Sequence, residues 1–534
     1  MVKRGAVLLA ALAWTLSLPA CQALPDHAAE QREAADLIIA GGMLFDGSGQ
    51  PGEMADIAIA GDRIAYVGPD AAALYRAGAT IDASGLVVAP GFIDPHTHAE
   101  TDLAAEDPAR RANYPFAFQG VSTVVVGNDG FGDHNVGELI SDARARGIGS
   151  NAAFLVGFGS VREAVLGTQN RAPNAAEMAQ MEALTRQAMC EGAWGLSAGL
   201  YYVPQSYSST EEVTALARIA GSFGGYYDTH MRDESTYNVT VTGALAETLD
   251  IGRAADIRVH IAHIKALGPA VWGHSAQMIA MIEEARAGGQ QVTADQYPWE
   301  ASGTRISNAL VPRWALEGGL EALRERLGDA ASRDRIRNEM VDAIARRGGA
   351  DRLLVTGQLS GSDAPIGKTL AEIAETEARA PVDSAIAILE SGDARLASFN
   401  MDAADIAAFA RQNWVVTGSD GSTGHPRKFG SFPKAYRDLV LGEEAMDLAR
   451  FIRRSSGLTA DIIGLEKRGY LRNGYFADVL VFDPESFAPN ATYSAPRELS
   501  SGVIHLYING QAVIRDEAPT GTLSGRPLVK DTQC

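Results

Sequence analysis

Short, strongly apolar runs recur through the middle of the chain with helix-type stretches between them. This alternation constrains the fold more than any other feature. Residues 121–126, 153–156, 226–229, 259–262, 291–294 and 414–417 read as strands buried on both faces. Between them, 211–223 and 276–287 carry helical patterning. The first opens at Ser209 with Glu212 three residues on, the spacing of a capping box. Buried strands alternating with helices predict an α/β fold, and the length fits a (β/α)8 barrel of TIM type. At 534 residues the chain exceeds one simple core, so a smaller unit beside the barrel is expected.

Both chain ends supply candidates for that unit. Runs at 37–42, 57–61 and 64–68 each end in glycine, as hairpin strands often do, and similar runs return at 479–484 and 504–510. Residues 35–89 and 470–534 are therefore expected to build one small β-domain around a barrel spanning 90–469. The charged tract 321–352 interrupts the strand–helix alternation and reads as a helical insertion.

Residues 1–23 have the pattern of an export signal: Lys3 and Arg4, then an apolar stretch too short for a comfortable membrane span. Leu18-Pro19-Ala20-Cys21 resembles a lipobox, so a lipidated Cys21 and cleavage after Ala20 or Ala23 are alternative outcomes. The expected location is periplasmic or membrane-anchored. The remaining cysteines, Cys190 and Cys534, do not suggest a disulfide framework, and Cys190 reads as a small core residue. A net charge of −20 argues against a nucleic-acid partner, though not against a small anionic substrate.

Metal-ligand residue types stand where the predicted strands end. The apolar run 85–98 finishes in His96 and His98, whose i, i+2 spacing puts both on one face of a strand. Asp129 follows the 121–126 strand, His230 the 226–229 strand, His263 the 259–262 strand and Asp420 the 414–417 strand. In a barrel, chemistry sits at the C-terminal ends of the strands, and imidazole with carboxylate is a zinc ligand set. Asp129 and Asp420 each precede glycine, so a turn-forming role competes with the ligand role. His134, His260, His274 and His505 lack this placement; His260 alternates away from the strand end and is expected to be packed.

These stretches resemble the D-aminoacylase (N-acyl-D-amino-acid deacylase) branch of the amidohydrolase superfamily. The likeness is carried by residues 89–98, 120–130, 195–202, 229–234, 262–265, 418–421, 425–427 and 474–478. It implies a zinc-bearing barrel with a small β-domain. His96 and His98 would hold one metal site, and His230 and His263 the other, with one or two ions in all. Asp420 would ligate and act as general base. The implied substrate is a small molecule with a free carboxylate, gripped by Lys265, Tyr202 and Tyr297, with Arg427 a further cation for an acidic substrate. The insertion, placed at about 299–362, would partly cover the site. Two departures stand out. Asp129 occupies a position where the family usually has cysteine, which lowers relative affinity for zinc and admits oxygen-preferring metals. A histidine expected near Gly157-Phe158-Gly159 is missing. The implied activity is metal-dependent hydrolysis of an N-acyl-D-amino acid. Dipeptide or cyclic-amide hydrolysis is the alternative, and a non-catalytic binding protein is disfavoured by Asp420 together with four ligand-placed histidines.

Overall fold

Among the residues described by the computed structural model (1–2, 32–359 and 361–534), eight parallel strands form a closed barrel. They are β1 (Phe92–Asp94), β2 (Val121–Val126), β3 (Asn151–Phe154, continued by Val156–Gly157), β4 (Gly195–Gly199), β5 (Tyr226–His230), β6 (Arg258–Ile261), β7 (Val292–Gln296) and β8 (Val415–Thr417). Each pairs in parallel with the next. The ring closes where Asp420 N donates to His96 O at 2.9 Å and His98 N donates to Gly421 O at 3.2 Å. Two ligand-bearing segments are thereby tied together through their own backbones. The export-signal stretch, Cys21 included, lies outside the described residues apart from Met1 and Val2.

Strand β2 is buried along its whole length because one face fills the barrel and the other meets helices. Helix α1 (Thr210–Ser222) shows how the outer layer is built: Val213, Leu216, Ala217 and Ala220 lie on one buried stripe. Its cap differs from the expected box. Ser209 accepts from Glu212 N at 3.3 Å, but the Glu212 side chain turns away to pair with buried Arg162 at 2.9 Å. A buried guanidinium needs a carboxylate more than an exposed helix end does.

Strand β4 falls outside the apolar runs. Its sequence, Gly-Leu-Ser-Ala-Gly, is small-residue because neighbouring backbone approaches closely. A Cβ on Gly195 would lie 2.2 Å from Tyr226 O, and one on Gly199 2.3 Å from Asp129 O.

The two ends of the chain meet in a nine-stranded sheet, where Val479–Phe482 lies antiparallel to Val87–Pro90. The latter runs through Gly91 straight into β1, so the sheet is continuous in chain with the first ligand strand. The C-terminal tail departs from the expected 470–534 boundary. After Ala518–Pro519 it leaves that sheet, and Pro527–Leu528 pairs with β3 on the barrel. There Cys534 forms a disulfide with Cys190, which corrects the reading of Cys190 as a plain core residue. The two cysteines are 344 residues apart, so no local spacing announces the pair. The insertion also runs further than the expected 362. Its three-stranded antiparallel sheet comprises Ala301–Arg305, Leu353–Leu359 and Asp393–Phe399, with helices packed on a separate core that includes Leu323, Ile336, Met340 and Leu389.

A cross-link closing so long a loop restricts the unfolded chain, an effect of about 6 kcal/mol in the chain-entropy picture. Cys534→Ser should lower the calorimetric melting midpoint by about 2–5 °C. An unchanged midpoint would show that the tail contributes no anchoring.

Candidate metal centre

Six side chains converge at the C-terminal mouth of the barrel. His96 and His98 extend beyond β1, Asp129 follows β2, His230 ends β5, His263 follows β6 and Asp420 follows β8. His96, His98, Asp129 and Asp420 form one group of mutually close ligand atoms, and Asp129, His230 and His263 a second. Asp129 belongs to both. Its Oδ1 lies 3.5 Å from His96 Nε2, 3.4 Å from His263 Nε2 and 3.8 Å from His230 Nδ1. Its Oδ2 lies 3.5 Å from His98 Nε2. Asp420 Oδ1 stands 3.3 Å from His98 Nε2 and 3.8 Å from His96 Nε2.

These spacings fit a metal ion. Ligands about 2.0–2.1 Å from a tetrahedral centre are roughly 3.3–3.4 Å from each other. The hydrogen-bond inventory agrees. His96 Nε2 and Asp129 Oδ1, both facing the cluster, are buried without a hydrogen-bond partner among the described residues. Buried polar atoms are ordinarily satisfied, so a cluster of orphans asks for an ion.

Local backbone conformation aims the ligands. Asp129, His263 and Asp420 all have positive φ, at 56°, 36° and 49°. Such conformations in non-glycine residues cluster at functional sites. The turn-forming reading of Asp129 and Asp420 is therefore compatible with the ligand reading: the turn aims the carboxylate at the cluster. Around Asp129 the turn is clamped by Gln205, whose Nε2 donates to Asp129 O at 2.9 Å and whose Oε1 accepts from Gly199 N at 2.7 Å.

The charge state follows from this crowding. Burial alone would raise the Asp129 carboxyl, but the histidines around it hold it well below the carboxylate range. Burial likewise opposes ionisation of Asp420, and Arg427, with Nη1 2.8 Å from Oδ2, leads the cations that override it. Burial pushes His96 and His230 down to about 4, keeping them neutral as ligands must be. His98 and His263 are desolvated too, yet their carboxylate neighbours raise both to about 10, so a cation binding there would displace their protons.

The residues expected to grip a substrate share one cavity. Tyr202, Tyr297, Lys265 and Arg427 all line a cavity over the centre. Tyr202 packs 4.8 Å from the His230 ring, and Tyr297 lies 5.0 Å beneath the Arg427 guanidinium. Lys265 is also held by the protein. Its ammonium donates to Glu234 Oε1 at 2.7 Å and to His263 O at 2.9 Å, and stands 2.5 Å from His263 Nδ1. Two of its three donors are thus taken by the protein; with Nε2 turned to the centre, His263 Nδ1 carries a hydrogen of its own and does not accept the third. Arg427 is not a rim cation but a buried partner of Asp420 that still has its Nε free of hydrogen bonds among the described residues. His260 is packed as expected, with Nδ1 2.9 Å from Thr293 Oγ1 and Nε2 3.1 Å from Asp295 Oδ2.

Four acids escaped the sequence reading. Glu234 supports the second histidine pair, with Oε2 3.5 Å from His230 Nε2 and Oε1 3.3 Å from His263 Nδ1. Its place four residues after His230 was the available signal. Asp94, Asp228 and Asp295 sit inside the barrel beneath the ligands, each an acid in an otherwise buried strand. Asp94 Oδ1 accepts from His96 N at 3.2 Å and Ser419 N at 3.0 Å, joining the two segments that close the barrel. Burial pushes its carboxyl up to about 8. Asp295 Oδ2 stands 4.0 Å from His96 Nδ1.

Known proteins share this architecture. A model of the amidohydrolase family matches residues 79–514. D-aminoacylase of Alcaligenes xylosoxydans xylosoxydans is 35% identical, with 93% of this chain and 98% of that one covered. N-acyl-D-aspartate deacylase of the same organism is 33% identical over 92% of this chain and 95% of that one. The solved N-acyl-D-glutamate deacylase of Bordetella bronchiseptica, complexed with zinc and a phosphonate mimic of the tetrahedral intermediate, superposes with a TM-score of 0.78. It is 29% identical, with 93% of this chain and 100% of that one covered. The chain belongs to the amidohydrolase family, in the group that contains the D-aminoacylases and N-acyl-D-amino-acid deacylases.

Proposed function

We propose that this protein hydrolyses the amide bond of N-acyl-D-amino acids at a centre of one or two divalent metal ions, zinc foremost. The observation that carries the reading is the convergence of His96, His98, Asp129, His230, His263 and Asp420 at ligand spacing around orphaned buried atoms. A cation held there supplies Lewis-acid polarisation of the scissile carbonyl and activation of a water.

The chain's own groups do the rest. Asp420, kept ionised by Arg427, takes the proton of the attacking water at Oδ1, the oxygen that faces His98. It then returns that proton to the departing amine nitrogen. Tyr297 Oη and Arg427 Nε are buried donors without hydrogen-bond partners among the described residues, and they receive the free carboxylate of the substrate. Lys265 acts behind them: with Glu234 it fixes the orientation of His263.

We also propose that the protein is exported and, if Cys21 is lipidated, anchored at a membrane surface. The Cys190–Cys534 disulfide supports an oxidising compartment. Among the described residues no helix is long and apolar enough to cross a membrane.

Turnover of N-acetyl-D-amino acids should stop on chelation and return with added zinc. Asp420→Asn should lower kcat about 10²–10⁴-fold with bound metal unchanged. Full turnover in that variant, or better turnover of dipeptides or hydantoins, would sink the assignment. Glu234→Gln should weaken zinc binding roughly 10–100-fold by competition with a chelating dye. Asp129→Cys should shift selectivity toward zinc over manganese, measured by metal analysis after mixed loading. For export, Cys21→Ala should move the protein from the membrane to the soluble fraction; identical fractionation would exclude the anchor.

A further inference from the structure

The insertion places two arginines over the barrel mouth in an arrangement the centre itself does not require. Antiparallel pairing of Ala301–Arg305 with Asp393–Phe399 sets Arg305 directly opposite Arg395. Like charges in that relation repel. Among the described residues neither guanidinium makes a hydrogen bond or an ion pair. Asp393, at the start of the same strand as Arg395, is already committed to Ser307, accepting from its N at 3.2 Å and its Oγ at 2.6 Å. Burial, together with Arg305 and Arg427, pulls Arg395 below its ordinary value.

The position of Arg395 is set by packing. A Cβ on Gly424 would lie 3.0 Å from Arg395 Cδ and one on Gly357 3.6 Å, so its stem runs across two glycines. Gly424 has φ +86°, a conformation that keeps the space clear. Both arginines line a cleft of about 510 Å³ together with His98, Asp129, Asp420 and Arg427. Of the acids lining it, Asp129 and Asp420 are committed to the centre or to Arg427, and Glu100 accepts from Gly127 N at 2.7 Å. The cleft therefore holds one exposed and one half-exposed guanidinium group with no ion pair among the described residues, beside the place where an amide would be cut.

We propose that Arg305 and Arg395 form a clamp for a second carboxylate of the substrate, so that this chain takes N-acyl amino acids bearing two anionic groups. The planar, forked guanidinium suits bidentate binding of a carboxylate, and an anion between the two relieves their repulsion. The second carboxylate has two sources: an acidic amino-acid side chain or a dicarboxylic acyl group. This inference rests on the amide-hydrolysis reading, which it deepens by naming the substrate class.

The test compares kcat/KM of the zinc-loaded full chain for N-acetyl-D-leucine, N-acetyl-D-glutamate and N-succinyl-D-leucine. Wild type should prefer one of the two dicarboxylates, and the preferred one identifies the source. Arg305→Gln and Arg395→Gln should each reduce that preference relative to N-acetyl-D-leucine by roughly tenfold or more. No preference in wild type, or a preference both variants keep, would overturn the clamp. The melting midpoint of ligand-free Arg305→Gln should not fall, since the substitution removes repulsion; this separates a lost clamp from a damaged fold. If the metal-loaded chain cleaves none of the three, the hydrolysis reading fails by itself. Calorimetric binding of the same compounds then decides the clamp: dicarboxylate binding lost in Arg395→Gln supports it, and equal binding to both proteins overturns it.

Discussion

One carboxylate among four imidazoles organises this protein. Asp129 reaches toward His96, His98, His230 and His263 at 3.4–3.8 Å, and among the described residues no other carboxylate lies within 4 Å of both histidine pairs. A charge so deeply buried is tolerated only with compensation from every side. The surrounding structure is consistent with that demand. Gln205 clamps the Asp129 turn, Gly199 gives it room, and the backbone accepts a left-handed conformation to point the side chain inward.

The barrel closure and the centre are the same piece of structure. The hydrogen bonds that join β8 to β1 run through His96, His98 and Asp420, and Asp94 spans the same seam by accepting from His96 and Ser419. Separating the strands at this point would separate the ligands. A second layer, Glu234 with Lys265 and Asp295 with His260, turns toward the far sides of the imidazoles. Ligand geometry is thus held from behind as well as from the side, which is how such sites keep their rings oriented. The insertion adds cations over this acidic interior, and the cleft consequently has opposite charge at its floor and its rim.

Much of this was legible in the residues. Buried strands announce themselves as short apolar runs, so β2, β5, β6, β7 and β8 stand near their expected places. The ligands are legible because strand ends in a barrel point to one mouth, and histidine or aspartate there is unusual. Strand β4 was hidden because close approach of neighbouring backbone demands glycine and serine, which carry no strand signal. The pairing of Lys265 with Glu234 was hidden too, because the resemblance assigned the lysine only to a substrate carboxylate and the partner is 31 residues away.

The chain's own order of residues determined the α/β architecture and the six candidate ligand positions, since periodicity and residue chemistry are local properties. Tertiary structure alone decided the rest: that Cys190 meets Cys534, that Asp129 bridges both histidine pairs, and that Arg427 belongs to Asp420. Those are contacts between segments distant in sequence, fixed by how strands are ordered around the barrel. Pairing across such distances leaves no trace in spacing, because what selects each partner is the shape and charge of the space they share.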